Sequence, residues 1–166
     1  MIVDVGGGAG HLLALLLQKN PAPKGILFDK PDNLAPARRL LSDAGVIGQC
    51  EIIGGDFFSD IPQGGDLYIL SRVVMDWDDT HALMLLEACR GAMTENGRVI
   101  LIEHIIPGDN SPSIAHLSDL MLLVITGGGR VRSELEYDEL LAAANLKRTI
   151  SIELPSGYRI LEVGKT

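Results

Sequence analysis

Four glycines lie within the five residues directly after the first apolar run of the chain. Gly6, Gly8 and Gly10 follow residues 1–5, and Asp4 lies two positions before the first of these glycines. The dinucleotide fingerprint G-x-G-x-x-G is not met from either the first or the second glycine, which disfavours a nicotinamide dinucleotide. Backbone N–H groups at the start of a helix instead bind a small carboxylate. We predict that Asp4 and the three glycines form such a loop; a tight turn without a ligand is the alternative.

Two more acids follow later apolar runs, at the positions where strands are expected to end. Asp29 is placed to accept hydrogen bonds from both hydroxyls of a ribose. Asp56 offers an acceptor to an exocyclic amine, and Phe57 after it offers an aromatic face to a purine. Each acid alone is equally well explained as a solvated residue at a strand end. Together with the glycine loop, they predict a pocket for an amino acid carboxylate, a ribose and an adenine, which is S-adenosylmethionine.

The site residues follow strands in a regular alternation of apolar runs and helical patterns. The apolar runs predict five strands that end at Val5, Asp29, Asp56, Ser71 and Glu103. Ligands of open α/β sheets bind at the carboxyl ends of the strands, where the first strand meets its helix. The predicted acids and glycines therefore share one edge of a sheet.

Helical spacing and end signals predict the connections between these strands. The predicted helices cover residues 12–17, 35–44, 79–93 and 114–125, and a further helix starts with a capping box of Ser133 and Glu136. The last two strands, 149–154 and 158–163, are separated by a linker too short for a crossover helix, so they must form an antiparallel hairpin. The fold class is α/β, a doubly wound sheet that is mostly parallel and ends in this hairpin.

Composition narrows the function further. The chain has 166 residues, the size of one domain, and a formal net charge of −8, which argues against nucleic acid and against an anionic membrane surface as partners. Cys50 and Cys89 are far apart and do not have the spacing of a disulfide framework or a zinc site, so no metal is predicted. No apolar run is long enough to span a membrane. We expect a cytoplasmic protein with an aliphatic core.

Five segments in order resemble one known family: Val3–Gly10, Leu27–Pro31, Gly55–Phe58, Asp76–Asp79 and Gly97–Glu103. They closely resemble the S-adenosylmethionine-dependent O-methyltransferases of the caffeic-acid and bacterial polyketide-tailoring type. The resemblance implies the Rossmann-like sheet of class I methyltransferases and methyl transfer to a hydroxyl of a small, aromatic natural product.

The resemblance also assigns residues that contact the cofactor. These are Gly6, Gly8, Asp29, Asp56, Phe57 and either Ser71 or Arg72. Family members carry an N-terminal helical domain that dimerises and supplies part of the acceptor pocket. Because this sequence begins directly with a strand, we expect residues 1–166 to be the catalytic domain of a longer protein that forms a homodimer.

The catalytic positions of the family are only partly matched. The residue before Asp-Trp is usually a histidine that takes the proton of the acceptor, and here it is Met75. Glu103 matches the first of two acids that orient this histidine, and Val131 replaces the second. His104 is a poor substitute base, because neighbours along a strand point to opposite faces, and His116 is a better one. The catalytic candidates are therefore the Met75 position, Glu103 and His116.

Loss of the base does not by itself exclude methyl transfer. General-base assistance contributes about 10²–10⁴-fold, whereas holding two reactants in line reaches an effective molarity of about 10⁵–10⁸ M. We therefore predict an O-methyltransferase that works by proximity. Two alternatives stay open: a domain that binds S-adenosylmethionine with little or no methyl transfer, and a relative that catalyses hydroxylation or decarboxylation.

Two further features each have two interpretations. Trp77 either packs under the cofactor loop or lines the acceptor or adenine side, and Gly127–Gly129 is either a hinge over the acceptor or a helix stop. An apolar stripe at helical spacing is formed by Ile114, Leu117, Leu120 and Leu123. The resemblance implies that the N-terminal domain covers this helix, so we expect the stripe to be partly exposed in residues 1–166 and the chain to self-associate.

Overall fold

The computed structural model describes residues 1–109 and 111–166, which form one α/β sheet covered by helices. The strands are β1 (Ile2–Val5), β2 (Gly25–Asp29), β3 (Cys50–Gly54), β4 (Gly65–Ser71), β5 (Met93–Ile106), β6 (Arg132–Ser133), β7 (Leu146–Glu153) and β8 (Tyr158–Lys165). The helices are α1 (His11–Lys19), α2 (Ala37–Asp43), α3 (Asp79–Ala92), α4 (Ile114–Ile125) and α5 (Glu134–Ala143). Short 3₁₀ turns cover Pro31–Asn33, Ile47–Gln49 and Val74–Asp76.

The strand order is β3-β2-β1-β4-β5-β8-β7. Strands β1 to β5 pair in parallel, whereas β8 is antiparallel to β5 and β7 is antiparallel to β8. The predicted doubly wound sheet and its C-terminal hairpin are confirmed. The order reverses between β1 and β4, and a crevice opens there at the carboxyl ends of the strands.

Some element boundaries differ from the prediction. Strand β5 begins at Met93 instead of Arg98, because Met93 already pairs with Gly65 across a register shift, and α3 ends correspondingly earlier. Strand β3 ends at Gly54, because Asp56 begins a turn in which its Oδ1 accepts the N–H of Phe58. Strand β6 was not predicted; its two residues pair with the end of β5.

The core has an aliphatic cluster on each face of the sheet. One cluster packs Val3 and Val5 of β1 against buried residues of α3 and α5, and the other packs Leu27 of β2 against α1 and α2. The capping box of Ser133 and Glu136 starts α5 as predicted. Within the part of the chain that the structure describes, no helix is long and apolar enough to cross a membrane.

Candidate cofactor and acceptor site

Two adjoining cavities lie at the carboxyl ends of β1, β2 and β4. The first, here called the aspartate cavity, has a volume of about 320 Å³ and is lined by Gly6, Asp29, Lys30, Asn33, Phe57, Arg72, Val73, Asp76, Trp77 and Thr126. The second, the glycine-loop cavity, has a volume of about 260 Å³ and is lined by Asp4, Gly6, Gly7, Gly8, Ala9, His11, Leu12, Ser71 and Arg72. Gly6 and Arg72 border both cavities, so an elongated ligand can occupy the two together.

Most of the predicted cofactor residues are thus brought together. Asp4, Gly6, Gly8, Asp29, Phe57, Ser71 and Arg72 line one or both cavities. Gly10 and Asp56 line neither, and the same holds for the catalytic candidates Met75, Glu103 and His116. A larger cavity of about 790 Å³ lies beside β6 and β8, but none of the predicted site residues lines it.

Backbone conformation explains the glycines of the loop. Gly6 has φ +73°, its N–H donates to the carbonyl of Phe28 over 2.8 Å, and a Cβ there would lie 2.6 Å from Val73. Gly8 has φ +55° with open space around a Cβ, so conformation alone favours glycine. Gly10 also has a positive φ, but it caps α1 and packs towards the core instead of a cavity.

Asp4 lies buried beneath this loop. Its Oδ2 is 2.6 Å from the place where a Cβ of Gly7 would be, and it has no hydrogen-bond partner among the described residues. Burial, followed by the nearby charge of Asp29, raises the pKa of Asp4 to about 7. A ligand that brings a cationic group to the glycine-loop cavity would therefore favour the ionised form of Asp4.

Asp29 fixes the geometry of the site with three hydrogen bonds. Its Oδ2 accepts the N–H of Gly8 over 2.7 Å. Its Oδ1 accepts the N–H of Lys30 over 2.7 Å and the side-chain amide of Asn33 over 2.8 Å. A carboxylate has about four acceptor sites, so Asp29 keeps capacity for a ligand hydroxyl while it holds the glycine loop.

Aromatic rings form the outer wall of the aspartate cavity. Phe57 is buried against Phe28, with ring centroids 5.9 Å apart, and Trp77 meets Phe58 edge to face at 5.0 Å. The ammonium of Lys30 lies 5.5 Å from the Trp77 ring and 6.0 Å from the Phe57 ring. Trp77 therefore lines the cavity, in agreement with the prediction that it lines the acceptor or adenine side. The role of Asp56 towards an adenine amine stays a prediction, because its carboxylate caps the local turn and lines neither cavity.

The expected base position is buried in an apolar cluster. Met75 packs with Ala115 and Leu122 of α4 and with Val131, and it is 6% exposed. His116 is half-buried in the first turn of α4, and His104 is buried with its ring 3.9 Å from that of Tyr158. Of the four histidines, only exposed His11 lines either cavity. The catalytic role of His116 stays a prediction.

Glu103 holds the segment that carries Met75. It is fully buried, and its Oε1 accepts the N–H groups of Val73 over 3.2 Å and Val74 over 3.0 Å. Its Oε2 has no partner among the described residues. Burial raises the pKa of Glu103 to about 8. In this geometry the acid orients backbone, not a histidine ring.

Arg132 holds the same segment from the other side, a role that the sequence reasoning missed. This fully buried guanidinium donates to the carbonyl of Val74 over 3.2 Å, to the carbonyl of Trp77 over 2.9 Å and to Asp79 over 2.9 Å. Its only sequence signal is its place in the glycine-rich segment that resembles the family motif.

The glycine run after α4 packs against this segment as well. Gly127 has φ +72° directly after the helix, so the run is a helix stop. A Cβ at Gly129 would lie 2.6 Å from the carbonyl oxygen of Met75, and the N–H of Arg130 donates to that oxygen over 2.9 Å. These contacts oppose the reading of the run as a hinge.

Comparison with known proteins gives a consistent result. Residues 1–147 match the family of O-methyltransferase domains. A phenazine O-methyltransferase of Lysobacter antibioticus is 37% identical over 161 residues, which are 97% of this chain and 47% of that protein. A caffeic acid 3-O-methyltransferase of Clarkia breweri is 37% identical over 151 residues, which are 88% of this chain and 38% of that protein. The chain thus spans about half the length, or less, of these relatives.

One solved structure shows a relative with its ligands. An O-methyltransferase of neocarzinostatin biosynthesis, in complex with S-adenosylmethionine and 2-hydroxy-5-methyl naphthoic acid, superposes with a TM-score of 0.88 at 33% identity. The match covers 99% of this chain and 48% of that one. These matches confirm the resemblance that the sequence motifs predicted, and the predicted cofactor is the one used in this family.

Proposed function

Because the chain belongs to the O-methyltransferase domain family, we propose that it binds S-adenosylmethionine and transfers a methyl group to a hydroxyl of a small aromatic acceptor. The observation that carries this proposal is the pair of adjoining cavities at the switch point of the sheet, which share Gly6 and Arg72. One cavity has the features for an amino acid end, and the other has those for a nucleoside.

The residues present fit the cofactor. The glycine loop offers backbone to a carboxylate, and Asp4 beneath it keeps an unpartnered carboxylate oxygen. Asp29 and Asn33 offer polar groups to a ribose, and Phe57 offers an aromatic face to an adenine. When bound, S-adenosylmethionine would supply an electrophilic methyl group on a positively charged sulfur.

The acceptor class is supported by the wall of the aspartate cavity and by the relatives. Val73 and the Trp77 ring form the apolar and aromatic part of this wall, which suits a flat ring. The phenazine enzyme and the naphthoic acid complex act on or bind flat aromatic molecules. Since Met75 and Val131 are buried in an apolar cluster, transfer would rest on orientation instead of a histidine base.

The same cluster favours a second candidate, a domain that binds S-adenosylmethionine with little or no methyl transfer. Calorimetric titration with S-adenosylmethionine, followed by mass spectrometry of products from catechols, hydroxyphenazines and hydroxynaphthoic acids, distinguishes the two. Binding with methylated product supports the transferase. Binding without product from any acceptor supports the second candidate, and no binding contradicts both.

The wider assignments are also proposals. We propose that the protein acts as a homodimer with residues 1–166 as its catalytic domain, supported by the exposed apolar side chains of α4. The cytoplasmic location and the absence of nucleic-acid and membrane partners stay predictions from composition.

A further inference from the structure

We propose that Asp76 takes the proton of the acceptor hydroxyl during methyl transfer, in place of the histidine that Met75 replaces. This inference rests on the proposed function and names one residue of that site. It starts from the aspartate cavity, whose wall carries two carboxylates, Asp29 and Asp76.

The position of the reacting centre follows from the two cavities. The sulfur of S-adenosylmethionine lies between its amino acid part and its ribose, so it belongs near Gly6 and Arg72, the residues common to both cavities. Asp29 is the residue that we assign to the ribose. The remaining wall of the aspartate cavity, formed by Val73, Asp76 and Trp77, is then left for the acceptor.

The two carboxylates differ in their free acceptor capacity. Asp29 is buried and already accepts three hydrogen bonds. Asp76 is exposed on the cavity wall, and its carboxylate accepts no hydrogen bond from any residue that the structure describes. A hydroxyl that enters the cavity therefore meets an unoccupied carboxylate.

The charges around Asp76 come from three strands, β2, β4 and β5. Asp29 is the last residue of β2 and Lys30 follows it, Arg72 follows β4, and Glu103 lies within β5. Desolvation of its carboxylate by the surrounding cavity wall raises the pKa of Asp76, while the charges of Arg72 and Lys30 oppose the rise. A carboxylate of raised pKa is a better proton acceptor, and the two cations also favour a developing phenolate.

The backbone segment that contains Asp76 is held by hydrogen bonds, which orient the Asp76 side chain towards the cavity. Glu103 accepts the N–H groups of Val73 and Val74, and Arg132 donates to the carbonyls of Val74 and Trp77. These bonds fix the backbone on both sides of Asp76, which ends the 3₁₀ turn Val74–Asp76. Asp76 therefore faces the cavity while Met75 before it is buried with α4.

The step balances without another reactant. The acceptor oxygen forms a bond to the methyl carbon, the carbon–sulfur bond breaks, and its electron pair stays on the sulfur. The acceptor proton passes to a carboxylate oxygen of Asp76 and then to solvent.

Turnover with two acceptors tests the proposal. Catechol is mostly protonated at pH 7, whereas 4-nitrocatechol is largely ionised and needs no base. We expect Asp76→Asn to slow methylation of catechol by about 10²-fold or more and that of 4-nitrocatechol by less than about threefold. Asp76→Glu should restore part of the catechol rate. Asp32→Asn is the matched control, because Asp32 is exposed and makes no hydrogen bond or ion pair among the described residues.

A second measurement needs no turnover. The absorbance of 4-nitrocatechol reports its ionisation, so its pKa can be read while it is bound to the cofactor-free chain. A carboxylate beside the hydroxyl disfavours the phenolate, so the bound pKa should be higher in the wild type than in Asp76→Asn.

The outcomes separate this proposal from the proposed function. Equal losses with both acceptors, or no loss with catechol, would show a structural role and overturn the assignment of Asp76. If the wild type methylates neither acceptor, the proposed function is weakened, and the binding spectra decide on Asp76 alone. Spectra that Asp76→Asn leaves unchanged overturn the proposal in either case.

Discussion

Removal of the Asp29 carboxylate should weaken the binding of S-adenosylmethionine strongly. In Asp29→Ala, the ligand loses an acceptor for a ribose hydroxyl, and a hydrogen bond to a charged group contributes about 1.5–3 kcal/mol. This loss alone raises the dissociation constant by about 10-fold to 150-fold. The N–H of Gly8 also loses its partner at 2.7 Å, so the glycine loop is less ordered before binding. We therefore expect an increase towards the upper end of this range.

Calorimetric titration of the folded variant with S-adenosylmethionine measures this change. Asp32→Ala is the control, since it removes the same charge three positions later from an exposed side chain. Asp29→Asn keeps one acceptor oxygen and the size of the side chain, and should fall between Asp29→Ala and the wild type. An unchanged dissociation constant in Asp29→Ala, with the native circular dichroism spectrum, would refute the ribose assignment.

Three further predictions concern stability and association. Arg132→Ala removes a buried donor from the carbonyls of Val74 and Trp77 and from Asp79, so the free energy of unfolding in urea should fall by about 3 kcal/mol; a loss below about 1 kcal/mol would contradict the role of Arg132 in holding this segment. The native pKa values of Asp4 and Glu103 are raised from 3.8 and 4.5 to about 7 and about 8, so the native state binds more protons than the unfolded chain between these limits. The free energy of unfolding should therefore fall as pH rises from about 4 to 8, and Glu103→Gln should reduce that fall; parallel curves for variant and wild type would disprove it. Leu120 is 61% exposed in the apolar stripe of α4, so the chain should self-associate in sedimentation velocity, and Leu120→Lys should weaken this self-association. A wild-type chain that stays monomeric at all concentrations would contradict the prediction. The matched control for Arg132→Ala is Arg130→Ala, and the matched control for Leu120→Lys is Leu15→Lys on α1. In the pH experiment, Glu103→Gln is compared with the wild type at each pH.

The sheet, and the edge of it that carries the cofactor residues, are well predicted because their sequence signals are local. Apolar runs mark the strands, and the acids and glycines after them mark where the strands end, so Gly6, Asp29 and Phe57 could be placed at one edge. The hydrogen bond from the N–H of Gly8 to Asp29 could not be anticipated, since it joins residues whose approach depends on the pairing of β1 with β2.

The catalytic side is less predictable because its contacts join distant parts of the chain. Arg132 reaches Val74 and Trp77 across the whole of α3, β5 and α4, and no spacing in the sequence indicates this. Met75 and Asp76 are neighbours in one 3₁₀ turn, yet one is buried and the other faces the cavity. The family resemblance indicated the Met75 position as that of the catalytic base. Only the structure shows that Met75 is buried, whereas Asp76 faces the cavity.

The burial of Met75 also explains why two of the three expected catalytic positions are apolar and the third is not. Met75 and Val131 contact the same cluster with Ala115 and Leu122, so a histidine or an acid at either position alone would place a polar group in an apolar core. Met75 and Val131 thus together pack α4 onto the segment that carries Met75. Glu103 lies outside this cluster and has a second task, because its Oε1 holds the N–H groups of Val73 and Val74. Backbone support thus gives Glu103 a role that does not require a histidine partner.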